Sequence, residues 1–185
     1  MELLGSDLAV VLQSVGRFSA SATALLGLQM LTSLQAMHDR GLLHRDVKLG
    51  NFALGHKPEE WSKVYLIDFG LVRRHLQADG RPRPARPRTP FRGTTHFASV
   101  AAQRGEDTGR VDDLWSLAFS MLALSVGRLP WDSMYRGGLQ GDRKAEAKRL
   151  VLEEKRRLIA ATGHGDPCSS SKLRSAGEYL ESAPE

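Results

Sequence analysis

One cysteine, Cys168, is the whole thiol content of this 185-residue chain. That excludes an internal disulfide framework and a thiolate zinc site, and it fits a reducing compartment, cytoplasmic or nuclear. Long apolar runs are also lacking. The longest, Leu114 to Val126, is shorter than a membrane span and is broken by Ser116, Ser120 and Ser125, so no membrane partner is expected. No basic-then-apolar segment opens the chain. A hydrophobic fraction of 41% beside 25% charged residues excludes wholesale disorder, a collagen repeat and a coiled-coil rod. The net charge of +5 points to an anionic partner without naming its kind. Nucleic acid ranks last, because no aromatic stacking platform lies near the densest run of arginines.

What is present falls into segments. A weak helical pattern runs from Asp7 to Gln13, after a short apolar stretch ending at Gly5. The next helix is clearer: Ser19 or Ser21 can cap it, and Leu26, Met30, Leu34 and Met37 recur on one face. His38 and Arg40 suit its last turn, and Gly41 its stop. Val64 to Ile67 reads as a buried strand, while Asn51 to Gly55 is too short to assign. Residues 73–92 read as a loop: Arg73, Arg74, Arg81, Arg83, Arg86, Arg88 and Arg92 meet one acid, Asp79. Pro82, Pro84, Pro87 and Pro90 block regular structure there. Val111 to Val126 is apolar nearly all round, which predicts a buried helix stopped by Gly127 and Pro130. Alternating charges from Asp142 to Leu158 predict a solvated surface helix. A polar linker and one last short helix, Ser171 to Ser182, would follow.

Two motifs carry chemistry. His44-Arg45-Asp46-Val47-Lys48-Leu49-Gly50-Asn51 fits H-R-D-x-x-x-x-N, and Asp68-Phe69-Gly70, directly after a strand, fits D-F-G. Both belong to the protein-kinase signature set, and their joint occurrence in the right order makes chance a poor explanation. Phosphoryl transfer needs an acceptor hydroxyl aimed in line and phosphate charge neutralised. A carboxylate at Asp46 can take the hydroxyl proton, and Lys48 points the same way in an extended loop. Asn51 and Asp68 offer hard oxygen atoms of the kind that suit Mg²⁺. Taken singly, His44 would be a packed histidine, Arg45 a surface charge and Asp68 a turn former.

The chain resembles the casein kinase 1 superfamily, and most closely its tau-tubulin kinase branch. The residues that carry this are Met1 to Gly5, Asn51 to Gly55, Ile67 to Leu71, Phe91-Arg92-Gly93-Thr94, Phe97-Ala98-Ser99-Val100, Asp112 to Leu117 and Gly127 to Trp131. Ala98-Ser99-Val100 follows the family's substitute for Ala-Pro-Glu, and Trp115 points to the tau-tubulin branch. The resemblance implies an α+β, mainly α, kinase-like C-terminal lobe with short β-strands around the catalytic loop. It implies ATP and Mg²⁺ as cofactors and a serine/threonine protein substrate. Asp46 and Lys48 would be catalytic and Asn51 and Asp68 metal ligands. Glu2, Leu4, Ala53 and Ile67 would meet adenine. His44 and Asp113 would support the loop, and Thr94 and Arg92 would lie by the acceptor. The arginine-rich segment reads equally as a trap for acidic or pre-phosphorylated protein and as a solvated loop.

The sequence departs from the family in several places. No G-x-G-x-x-G occurs, and the strand lysine with its glutamate partner, which the family places ahead of the hinge, has no counterpart. Leu49-Gly50 replaces a proline-containing pair, and His96 stands where arginine is usual. The expectation is therefore a C-terminal lobe over residues 1–160, then a polar linker and cut-short helix over 161–185. Such a chain would be weak or inactive alone. The rival is a pseudokinase-like module that binds acidic or phosphorylated proteins without catalysis.

Overall fold

The computed structural model describes residues 3–135 and 140–162. It resolves into two compact units, Met1–Ser133 and Met134–Glu185. The first opens with β1 (Leu4–Asp7), whose last residue caps α1 (Leu8–Val15): Asp7 accepts from the N–H groups of Ala9 and Val10. The Ser19 side chain caps α2 (Ala20–His38), whose buried face includes Met30, Leu34 and Met37. The helix ends at His38 with Asp39 as its C-cap, and Gly41, at φ 71°, turns the chain out. This answers the predicted capping and periodicity.

Beyond α2 the chain alternates small strands with loops. β2 (Leu42–Leu43) precedes the 44–51 loop and a 3₁₀ turn over Leu49–Asn51. β3 (Phe52–Gly55) then pairs antiparallel with both β1 and β4 (Val64–Leu66), so the segment that length left unassigned is the central strand of a three-stranded sheet. β4 is half-buried rather than fully buried: only Val64 is closed to solvent, because this small sheet sits at the margin of the helical core. A correction falls on residues 73–92. Their first two residues form β5 (Arg73–Arg74), paired with β2, and a bridge joins Leu76 to Pro82. Proline lacks only the N–H donor, so Pro82 can still take part in a bridge, and no proline stands between Arg73 and Arg81.

α3 (Val100–Gln103) is capped by Ser99, and α4 (Arg110–Val126) ends at Gly127 in the left-handed region. α4 packs on α2 so closely that Gly27 leaves room only for Met121. The prediction of a helix buried all round is corrected here. Val111, Leu114 and Val126 are exposed, while Leu117, Phe119, Ala123 and Leu124 are buried. The indole of Trp131 fills the core, standing edge-on to Phe119 at 5.2 Å and donating from Nε1 to His96 O at 3.0 Å.

In the second unit, α5 (Gly141–Ala161) is helical as predicted, but it is not solvated on every side. Ala147, Val151, Lys155 and Ile159, four apart, form a buried face, and burial pushes the Lys155 ammonium down to about 6. The predicted terminal helix, the linker beyond Thr162 and Glu2 lie outside the described residues. Among the described residues no helix is long and apolar enough to cross a membrane.

Candidate active site

The 44–51 loop is pinned from below before it presents anything. Asp113, buried in the first turn of α4, accepts the backbone N–H of His44 at 2.9 Å on Oδ2 and that of Arg45 at 2.8 Å on Oδ1. His38, at the end of α2, contacts the same Oδ2 through Nε2 at 2.9 Å. Arg45 is thereby held at φ 69°, a left-handed conformation costly for a long side chain. The fully buried His44 ring ties this loop to the next motif. Nδ1 accepts from Asp46 N at 3.4 Å, Nε2 faces Ile67 O at 3.3 Å, and the ring lies edge-on to Phe69 at 5.9 Å. The packed-histidine reading of His44 describes its environment well, and the packing itself couples the two motifs.

On that base four side chains converge. Lys48 donates from Nζ to Asp46 Oδ2 at 2.7 Å and to Thr94 Oγ1 at 3.2 Å. Asn51 donates from Nδ2 to Asp46 O at 2.8 Å and reaches Oδ2 at 3.4 Å. Gly93 lets the 93–94 segment come this near. At φ 104° it adopts a backbone that L-residues rarely take, and a Cβ there would stand 2.8 Å from Arg45 O. Burial raises the Asp46 pKa, but hydrogen bonds from Lys48 and Thr94 outweigh it and leave the carboxyl below its ordinary value. Its Oδ1 is closed to solvent and has no hydrogen-bond partner of good geometry. The group is thus an ionised acceptor fixed in place by its neighbours.

The other predicted residues sit around this cluster. Ile67 N donates to Asn51 O at 2.9 Å, continuing the β3–β4 register and placing Asp68 one residue beyond Asn51's partner. Asp68 is exposed at φ 62°, with Oδ1 taking the Gly70 N–H at 3.1 Å. Because Asn51's amide nitrogen is spent on Asp46, its oxygen is the atom left for a cation. An amide oxygen with a neighbouring carboxylate is a donor set suited to Mg²⁺. Leu4 and Ala53 lie on β1 and β3 of one sheet, Ala53 buried and Leu4 half-buried, and Ile67 follows β4. Arg92 is exposed beside Gly93.

Sequence reasoning missed Asp107. Its carboxylate gathers Arg73, through Nη1, and Arg86, through Nε at 3.0 Å, Nη2 at 2.8 Å and the backbone N–H at 3.0 Å. Burial raises its pKa, but these arginines prevail and hold it below the ordinary value. Arg45 shares the neighbourhood: burial and then the like charges of Arg86, Arg73 and Arg92 push its pKa down. The available signal was a lone acid pair, Glu106-Asp107, following a stretch rich only in arginine. Ser99 was read only as part of a family motif. Its hydroxyl donates to Asp112, which also takes the Gly109 N–H at 2.7 Å, and so fixes α3 against α4.

An aspartate, a lysine and an asparagine of one loop meeting a threonine from the segment after D-F-G is an arrangement suited to phosphoryl transfer. Residues 1–164 match the model of the protein kinase domain, and the chain belongs to that family. A Dictyostelium discoideum protein named "Probable serine/threonine-protein kinase" is 50% identical over 133 residues, 71% of this chain. The casein kinase 1-like protein HD16 of Oryza sativa subsp. japonica is 40% identical over 155 residues, 78% of this chain. The chain spans 27% and 20% of the lengths of those two relatives.

Proposed function

We propose that this chain is the C-terminal catalytic lobe of a serine/threonine protein kinase of the casein kinase 1 superfamily, in its tau-tubulin branch. It would transfer the terminal phosphoryl group of ATP to a protein hydroxyl. The observation that carries the reading is Lys48 Nζ lying between Asp46 Oδ2 and Thr94 Oγ1. In that step the substrate hydroxyl oxygen bonds to the terminal phosphorus, the bridging P–O bond breaks and ADP leaves. The Asp46 carboxylate, oriented by Lys48 and held ionised, receives the hydroxyl proton. Lys48 contacts the transferring group, and Thr94 and Arg92 border the acceptor. Asn51 and Asp68 would hold Mg²⁺, which neutralises phosphate charge when bound. Leu4, Ala53 and Ile67 would line the adenine side together with Glu2. His44 and Asp113 position the loop without touching substrate.

Residues 1–160 would form this lobe and 161–185 a tail. The reading extends to an intracellular setting, cytoplasmic or nuclear, and to protein substrates that are acidic or already phosphorylated, met by the arginines of 73–92. No glycine-rich loop occurs in the 185 residues, so this polypeptide alone should transfer phosphate weakly or not at all. The intact Asp46–Lys48–Asn51 contacts favour catalysis over a purely binding role.

The test is a radiolabelled-ATP assay of the chain alone and complemented with the amino lobe of a casein kinase 1-like kinase. Transfer to serine or threonine is expected only on complementation, with Asp46→Asn lowering it by about 10²-fold or more. A complemented chain that transfers nothing, or one whose activity survives Asp46→Asn, would overturn the reading.

A further inference from the structure

Arg73, Arg86 and Arg92 all lie within electrostatic reach of Arg45, and Asp107 pairs with Arg73 and Arg86. Like charges so placed oppose each other, and Arg73 and Arg86 share the one Asp107 carboxylate. Asp107 engages Arg86 through two guanidinium nitrogens and the backbone N–H, and Arg73 through a third guanidinium contact. Those are contacts a phosphate would make with its own oxygens. The carboxylate is about nine-tenths buried, side-chain exposure being 10%. Beside it a groove of about 560 Å³, lined by Arg73, Gln77, Arg83, Pro84 and Arg86, opens to solvent. The partners are 34 and 21 residues away in sequence, so these contacts tie the proline-rich segment to the turn before α4.

We propose that Asp107 is a built-in occupant of the arginine cluster. Its carboxylate takes the place of an external anion and holds residues 73–92 folded without one, so a phosphate group entering the cluster must displace it. The chain thereby carries its own competitor for the anionic substrates read above, and the inference rests on that reading. A dianion with three free oxygens outcompetes a carboxylate only where it gains more guanidinium contacts than Asp107 gives up, which sets a threshold against weakly charged ligands.

The probe is inorganic phosphate, titrated calorimetrically into the full chain and into Asp107→Asn and Asp107→Glu at matched ionic strength. Trypsin cleavage after Arg88, which no proline follows, reports the segment's fold. Asp107→Asn should bind phosphate about tenfold tighter than the parent chain, the equivalent of one charge-assisted hydrogen bond. It should also be cut faster, and phosphate should slow that cutting. Asp107→Glu should behave like the parent in both assays. Should Asp107→Asn not fold alone, a thermal midpoint restored by phosphate but not by chloride supports the proposal, and no restoration overturns it. Equal phosphate affinity in the parent and Asp107→Asn overturns it while sparing substrate capture. Absence of phosphate binding in both sinks capture as well.

Discussion

Asp113 holds two consecutive backbone N–H groups and contacts a histidine ring with its two oxygens. Asp113→Ala would leave two buried donors unpaired beneath the catalytic loop and should cost about 3 kcal/mol in urea unfolding. Asp113→Asn, which keeps one good acceptor, should cost about half as much. Asp107 gives a pH signature instead. Its folded pKa lies below the unfolded value, so its contribution is fully present above about pH 4 and drains away as pH falls through the lower, folded value. Acid unfolding curves of the parent and Asp107→Asn should therefore stand apart above about pH 4 and draw together as pH falls below it. Parallel curves across that range would remove Asp107 from the ledger of acid-sensitive groups.

Among the elements, two glycines test the same backbone requirement in different surroundings. Gly16 and Gly127 both sit at positive φ, 77° and 85°, but a Cβ on Gly16 meets nothing within 4 Å while one on Gly127 collides with the Gly16 carbonyl oxygen. Gly16→Ala should cost about 1 kcal/mol and Gly127→Ala about 3, read as a difference in denaturant midpoint at equal m. Gly27 tests the α2–α4 approach, since its neighbour is the movable end of Met121. Gly27→Leu should destabilise by about 2 kcal/mol, and adding Met121→Ala should recover most of that. These elements also mark what the sequence made legible. Ser19 and the Met30, Leu34, Met37 spacing disclosed α2 because cap and periodicity are local. β5 was hidden because its partner, β2, lies some thirty residues upstream and two arginines carry no strand pattern. The Asp46–Lys48–Asn51 cluster was legible as a short motif; the Asp107 clamp was not, because its contacts join segments that share no motif.

At the scale of the whole molecule, several large apolar side chains remain in solvent. Leu3, Leu25, Leu28, Trp61 and Phe69 are all more than half exposed, and Leu25 and Leu28, three apart on α2, are neighbours on one helix face. The chain should associate as its concentration rises, and Leu25→Ser with Leu28→Ser should shift sedimentation toward monomer. A parent chain that sediments as monomer throughout would contradict this. The left-handed backbones of Arg45 and Asp68 have a different consequence. Glycine would suit both torsions better, by about 1 kcal/mol at Arg45 and less at Asp68, whose residue type tolerates that region. A variant library ranked by heat resistance would therefore promote Arg45→Gly and Asp68→Gly. The proposed metal ligand and a member of the arginine cluster would be lost as apparent improvements.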